Sequence, residues 1–195
     1  MTSSTSRAPV AAEGTRARLI DAALDLFTHC GFAGTSLQMI ADQLHVTKAA
    51  VYHHFKTRDE ILAAVIRPAV EDVKNLIAEA SAQRTPTARA ERMLTGWVDL
   101  ALRHRALIGL LQTDPAVKPH LKEEQNASIL LDQPRDLLAS HLSGPGRQVC
   151  AQVALLGIVG AASTPELREL DDETLRDLLL DVGRKILGLR RPRSS

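Results

Sequence analysis

Apolar residues recur along this chain at intervals of three and four, the spacing of one face of an α-helix, and seldom alternate as strand residues do. Ile20, Ala23, Leu24 and Phe27 mark a helix over Ala17–Cys30, with Gly31 as its stop. Thr35-Ser36-Leu37-Gln38 has the form of a capping box, with Thr35 as cap and Gln38 reaching back, opening a helix through Leu37, Ile40, Ala41 and Leu44. A turn at His45-Val46 precedes Thr47, the expected N-cap of a short helix to about His54. Thr57 to Glu60 forms a second capping box, which starts a long helix with Ile61, Val65, Val70 (or Ala69), Val73 and Ile77 inward. Pro68 lies inside that pattern and is expected to bend or split it, because it lacks a backbone donor and crowds the preceding turn.

Further starts are expected at Thr85-Pro86 and Asp114-Pro115, a cap followed by proline at the first helical position. Pro134 interrupts a helical region from Lys118 to Leu142, and Ser143 to Gly146 breaks the chain. Helices over Arg147–Ser163 and roughly Asp172–Leu189, joined through Pro165, complete an all-α protein of about nine helices.

Composition supports this. Hydrophobic residues make up 45% and aromatics only 3%, so the core must be built from Leu, Ala, Val and Ile, which favours helices. Residues 1–13, small and polar, read as a disordered arm without the apolar centre of a signal peptide, and imply a cytoplasmic protein. The uncharged run Gln148–Pro165 is too interrupted for a membrane span and reads as a buried helix. Cys30 and Cys150 are expected as buried free thiols, Cys30 in the core. Net charge is +1, but Thr47–Arg58 holds Lys48, Lys56 and Arg58 with no acid, and the chain ends in a basic tail.

The segment Ser36–Phe55 meets the needs of a helix-turn-helix. Ala41 is small enough for two helices to cross closely, and Val46 and Val51 fill the space between them. Thr47, Lys48, Ala49, Tyr52 and His53 then face outward, where a DNA major groove would lie. Periodicity alone favours a plain helical hairpin over DNA binding. His53-His54 is a poor metal pair, because adjacent helical residues point about a hundred degrees apart. No metal site, catalytic residue or cofactor is expected.

The stretch ALDLFTHCGFAGTSLQMIADQLHVTKAAVYHHFKTRDEIL resembles the DNA-binding domain of the tetracycline-repressor (TetR) family, above all at Gly31-Phe32, Thr35-Ser36, Ile40-Ala41 and Val51 to Lys56. The resemblance runs from about Arg16 to Ile66. It implies a three-helix DNA-binding domain over residues 14–66 and a divergent helical domain over 67–190 for effector binding and dimerisation, leaving a basic tail at 191–195. Thr47, Lys48 and Ala49 resemble the start of the recognition helix, Tyr52, His53 and Lys56 its phosphate clamp, and Thr35 or Ser36 a helix cap facing phosphate. Two positions depart from the family: His45 and Ala49 stand where it often has glycine.

The resemblance also implies an effector cavity lined by a central helix, where Met93, Trp97, Leu100 and His104 form one stripe and Gln112 is a further polar candidate. Core packing explains Met93 and Leu100 equally well. Trp97 is the better candidate, offering an apolar face and an N–H donor. Val153, Leu156 (or Leu155) and Gly160, with Leu178 and Val182 from the last helix, are expected to form a four-helix homodimer interface. In that last helix Leu175, Leu178 or Leu179, Val182 and Ile186 form the apolar stripe, and Asp177, Asp181 and Arg184 lie outside it. The implied protein is a transcriptional regulator, a repressor released from its operator by a small molecule. Two alternatives are a regulator answering to a protein partner and an enzyme in the C-terminal domain.

Overall fold

A computed structural model describes residues 8–117, 119, 120 and 131–190, with side chains from residue 14 onward except that of Arg168. The basic tail at 191–195 and the first seven residues of the expected arm lie outside the described residues. Nine α-helices follow one another among them: α1 Ala8–Cys30, α2 Leu37–Gln43, α3 Lys48–His54, α4 Arg58–Ser81, α5 Pro86–Arg103, α6 Arg105–Thr113, α7 Gln133–Ala139, α8 Arg147–Ser163 and α9 Asp172–Leu187. A short 3₁₀ turn at Pro165–Glu169 joins α8 to α9.

Most helix starts are capped as side-chain chemistry dictates. Thr47, Thr57, Thr85 and Asp171 accept the amides of Ala50, Glu60, Ala88 and Thr174, satisfying donors that have no partner inside the helix. The first capping box forms one residue later than expected. Ser36, not Thr35, caps α2 by accepting the Met39 amide, and Gln38 instead donates to Asp42. At the second box, Glu60 accepts the amide of Lys56, one residue before the cap.

Helix α1 begins at Ala8, so residues 8–13 of the expected arm are helical; Ala8, Ala11 and Ala12 favour that state without any apolar period to announce it. Helix α4 runs unbroken through Pro68, one helix and not two. Val65, Ile66 and Val70 around the proline are buried, and tertiary packing overrides the local cost. Asp114-Pro115 starts no helix among the described residues; Asp114 ends α6 instead. Pro134 lies in the first turn of α7, where its missing donor is harmless. Helix α9 ends at Gly188, whose φ of 64° lets its amide and that of Leu189 turn back onto the last carbonyls.

Two apolar clusters share α4. The first packs Leu19, Ala23 and Phe27 of α1 against Ile40, Ala41, Val51, Ile61 and Leu62, and Leu107 and Leu110 of α6 close it from above. The second surrounds α5, where Met93, Leu94 and Trp97 meet Leu138, Leu155, Ile158 and Leu179. Gly96 sets how near α4 can come to α5, since a Cβ there would stand 2.2 Å from a methyl of Leu76. Arg184, expected on the outside of α9, turns inward to Glu91 at 2.6 Å, while Leu178 and Val182, expected at the dimer interface, are exposed in the single chain. The buried stripe is Leu175, Leu179, Leu180 and Leu187. Cys30 is exposed, which corrects its placement in the core, and both cysteines are free thiols. Among the described residues no helix is long and apolar enough to cross a membrane.

Candidate functional site

Ala41 of α2 is fully buried, and Val46, in the turn to α3, donates its amide to the Ala41 carbonyl at 3.0 Å. Between them His45 takes φ of 54°, the left-handed conformation in which a side chain costs about 1 kcal/mol. Val51 is fully buried under α3, which turns Thr47, Lys48, Ala49, Tyr52 and His53 outward; all five are exposed. The Lys48 ammonium lies 5.7 Å from the Tyr52 ring centre, and Lys56 donates to the Tyr52 carbonyl at the end of the helix. A cationic, hydroxyl-bearing edge results on one side of α3.

A polar concavity links this edge to α2. Ser36, Lys48 and Tyr52 line it together, with Gln38 and Thr57. His53, Lys56, Thr47 and Ala49 lie outside that hollow. Gln38 and Thr57 were readable only as capping residues, so their place in it went unseen. Thr35 departs from the expected role: it is 1% exposed, and its hydroxyl donates to the Gly31 carbonyl at 2.9 Å. It braces the loop, and Ser36 is the exposed member of the pair.

Arg58 holds that loop from below. Its Nη1 donates to the carbonyls of Phe32, Ala33 and Thr35 at 2.9, 2.8 and 2.7 Å, and the guanidinium lies over the Phe32 ring. The first residue of α4 therefore grips the turn that leads into α2. Sequence reasoning missed this, because nothing local announces a bond across some twenty-five residues.

A second site lies between α4, α5, α6 and α8, a cavity of about 270 Å³. Trp97, Leu100, His104 and Gln112 line it, as do Leu107, Ile108 and Leu156. Met93 does not; it is fully buried in the core around α5, one turn from Trp97. The Trp97 N–H is also not free for a ligand, since it donates to the Leu155 carbonyl at 3.1 Å. His104 Nε2 meets the Asp72 carboxylate at 2.9 Å. Burial alone would raise the Asp72 pKa, but hydrogen bonds from His104 and Arg103 outweigh it and hold the carboxyl below its usual value.

A third surface is apolar. Val149, Val153 and Leu156 of α8 and Leu178 and Val182 of α9 are 49–63% exposed, and they are five of the seven large exposed hydrophobics among the described residues. Gly160 lies on the same face of α8, and a Cβ there or at Gly157 would meet nothing within 4 Å. Leu156, not Leu155, is the exposed member of that pair; Leu155 is fully buried.

Nine helices arranged as an N-terminal helix-turn-helix under a larger helical body define the class. The profile described as "Bacterial regulatory proteins, tetR family" matches residues 19–65. Residues 19–65 are therefore similar to the N-terminal domain of the TetR family, over about a quarter of the chain. The chain is 47% identical over 55 residues to the HTH-type transcriptional regulator SrpR of Pseudomonas putida, 28% of this chain and 26% of the relative. The chain thus spans about a quarter of that curated relative's length.

Solved structures extend the likeness in fold. A TetR-like transcriptional regulator from Rhodococcus sp. RHA1 superposes with a TM-score of 0.67 at 23% identity, covering 88% of this chain and 95% of the other. SmeT in its triclosan complex superposes with a TM-score of 0.64 at 21% identity, covering 88% and 90%.

Proposed function

We propose that this protein is a cytoplasmic, homodimeric DNA-binding transcriptional repressor, released from its operator by a small molecule, and not an enzyme. The observation that carries this reading is the outward face of α3, where Thr47, Lys48, Ala49, Tyr52 and His53 stand exposed on a helix-turn-helix matched by the family profile. A helix with a small residue, Ala49, in its first turn approaches base edges, while hydroxyls and ammonium groups beside it suit phosphate oxygens. In this reading residues 14–66 read DNA and residues 67–190 bind effector and partner. Ser36, Tyr52, His53 and Lys56 hold the backbone, and Thr47, Lys48 and Ala49 face the bases.

The dimer reading is supported by the apolar face of α8 and α9, too large a run of half-exposed side chains to leave in water without reason. The effector reading is supported by the apolar cavity and by SmeT, similar in fold, which forms a complex with triclosan. Trp97, Leu100, His104 and Gln112 are its proposed contacts.

The test is DNA binding itself. Sequences selected from a random pool by the purified protein should share one palindromic site, bound with nanomolar-range affinity in fluorescence anisotropy. Lys56→Ala should weaken every sequence alike and reduce the slope of log affinity against log salt by about 1. Thr47 or Ala49 substitutions should instead change which sequence is preferred. Selection that yields no common site would defeat the assignment.

A further inference from the structure

The cavity has a definite chemical character. Among the described residues no Lys, Arg, Asp or Glu lines it, so a ligand charge buried there would be left unpaired. Its walls are aliphatic except for Trp97, His104 and Gln112. Of the polar groups these bring, most are already occupied. The Trp97 N–H is held by Leu155, the Gln112 Oε1 accepts the Ser163 hydroxyl at 2.8 Å, and His104 Nε2 is held by Asp72. What remains without a partner among the described residues is the other ring nitrogen of His104 and the amide NH₂ of Gln112.

Asp72 selects the state of that ring. A carboxylate at Nε2 requires the proton there, which leaves Nδ1 of the neutral imidazole as an acceptor. A hydroxyl suits it best, since a hydroxyl donates to neutral imidazole and accepts from the protonated form. Size narrows the class further. An apolar cavity of about 150 Å³ holds a benzene ring, so one of about 270 Å³ accommodates in proportion about eleven heavy atoms. Leu131 and Leu156, the most exposed of the lining side chains named here, form its accessible rim.

We propose that this cavity receives a compact, uncharged, mostly aliphatic or alicyclic alcohol whose hydroxyl meets His104. This rests on reading the cavity as the effector site, but the ligand chemistry is testable without DNA. Trp97 is the only tryptophan in the chain and lines the cavity, so its fluorescence reports on occupancy.

The probes are menthol and decanol, with menthylammonium and menthane carboxylate as charged congeners; all are transparent where tryptophan is excited. Menthol or decanol should shift the Trp97 emission saturably, at one molecule per chain. The charged congeners should bind at least about tenfold more weakly. Ala69→Leu and Ile108→Phe each fill the cavity, and either variant that keeps its helical circular dichroism should lose the same binding. His104→Leu should weaken the alcohols severalfold while leaving a matched alkane unaffected.

Three results overturn the proposal: no saturable shift with either alcohol up to its solubility, a charged congener binding as tightly as menthol, or undiminished binding in a folded cavity-filled variant. DNA affinity measured on the same preparation without these compounds reports on the regulator reading separately. Loss of one result therefore leaves the other standing.

Discussion

Asp114 and Phe32 are joined across 82 positions of sequence: the Phe32 amide donates to Asp114 Oδ2 at 2.7 Å. The other carboxylate oxygen accepts the Ala116 amide at 2.9 Å, so Asp114 is pinned from both sides. It stands at the end of α6, the helix that lines the cavity with Leu107 and Ile108. Phe32 stands in the turn before α2, and its ring packs against Phe27 and His120, while His120 reaches Asp59 at 3.3 Å. The loop before the helix-turn-helix is thus tied to α6 through Asp114 as well as to α4 through Arg58.

Asp114→Ala should reveal that link. A hydrogen bond to a charged acceptor contributes about 1.5–3 kcal/mol, and its loss should appear in urea denaturation. Binding of a cavity ligand, followed by Trp97 fluorescence, should be unchanged, while the ligand's effect on DNA affinity should shrink. Asp114→Asn, which keeps an acceptor oxygen, should lie between. Full ligand response in a destabilised Asp114→Ala protein would make this contact structural only.

The elements that were legible in the sequence share one property: their determinants are local. Helix periods, the caps at Thr47, Thr57 and Thr85, and the outward face of α3 all follow from residues within a few positions of one another. What escaped was set by distant partners. Thr35 reads as a cap, yet its hydroxyl turns to Gly31 because Arg58 holds the loop carbonyls in place. Asp114-Pro115 reads as a helix start, yet the carboxylate is claimed by Phe32. Arg184 reads as solvated until Glu91 of α5 is placed beside it. The cavity stripe was legible as a row on α5, but Met93 and Trp97 could be separated only once α8 had taken the Trp97 N–H.

Close approach of α4 and α5 makes Gly96 sensitive. Alanine there gains up to about 1 kcal/mol of helix propensity but forces its methyl into Leu76, and overpacking costs typically about 1–3 kcal/mol. Gly96→Ala should therefore lower stability in thermal or urea unfolding. The double variant Gly96→Ala with Leu76→Ala should lose less than the sum of the two singles, because the smaller side chain removes the collision. Strict additivity of the two would show that the methyl finds room elsewhere.

Leu156 belongs to two surfaces at once. It is half exposed on the apolar face of α8, one helical turn from Val153, and it also lines the cavity. Val153 shares the face and does not line the cavity. Val153→Asp and Leu156→Asp should both turn a dimer into a monomer in light scattering, because an unpaired carboxylate buried between two copies costs several kcal/mol. Neither should unfold the subunit, since both side chains are about half in water in the isolated chain. The two should differ in the cavity: Leu156→Asp should also weaken an uncharged ligand, read by Trp97 fluorescence, and Val153→Asp should do so only as far as dimerisation and ligand binding are coupled. That coupling is reciprocal, so whatever factor the ligand loses on dissociation must reappear as a ligand-induced tightening of the dimer. A Val153→Asp protein that remains dimeric would remove this face from the interface.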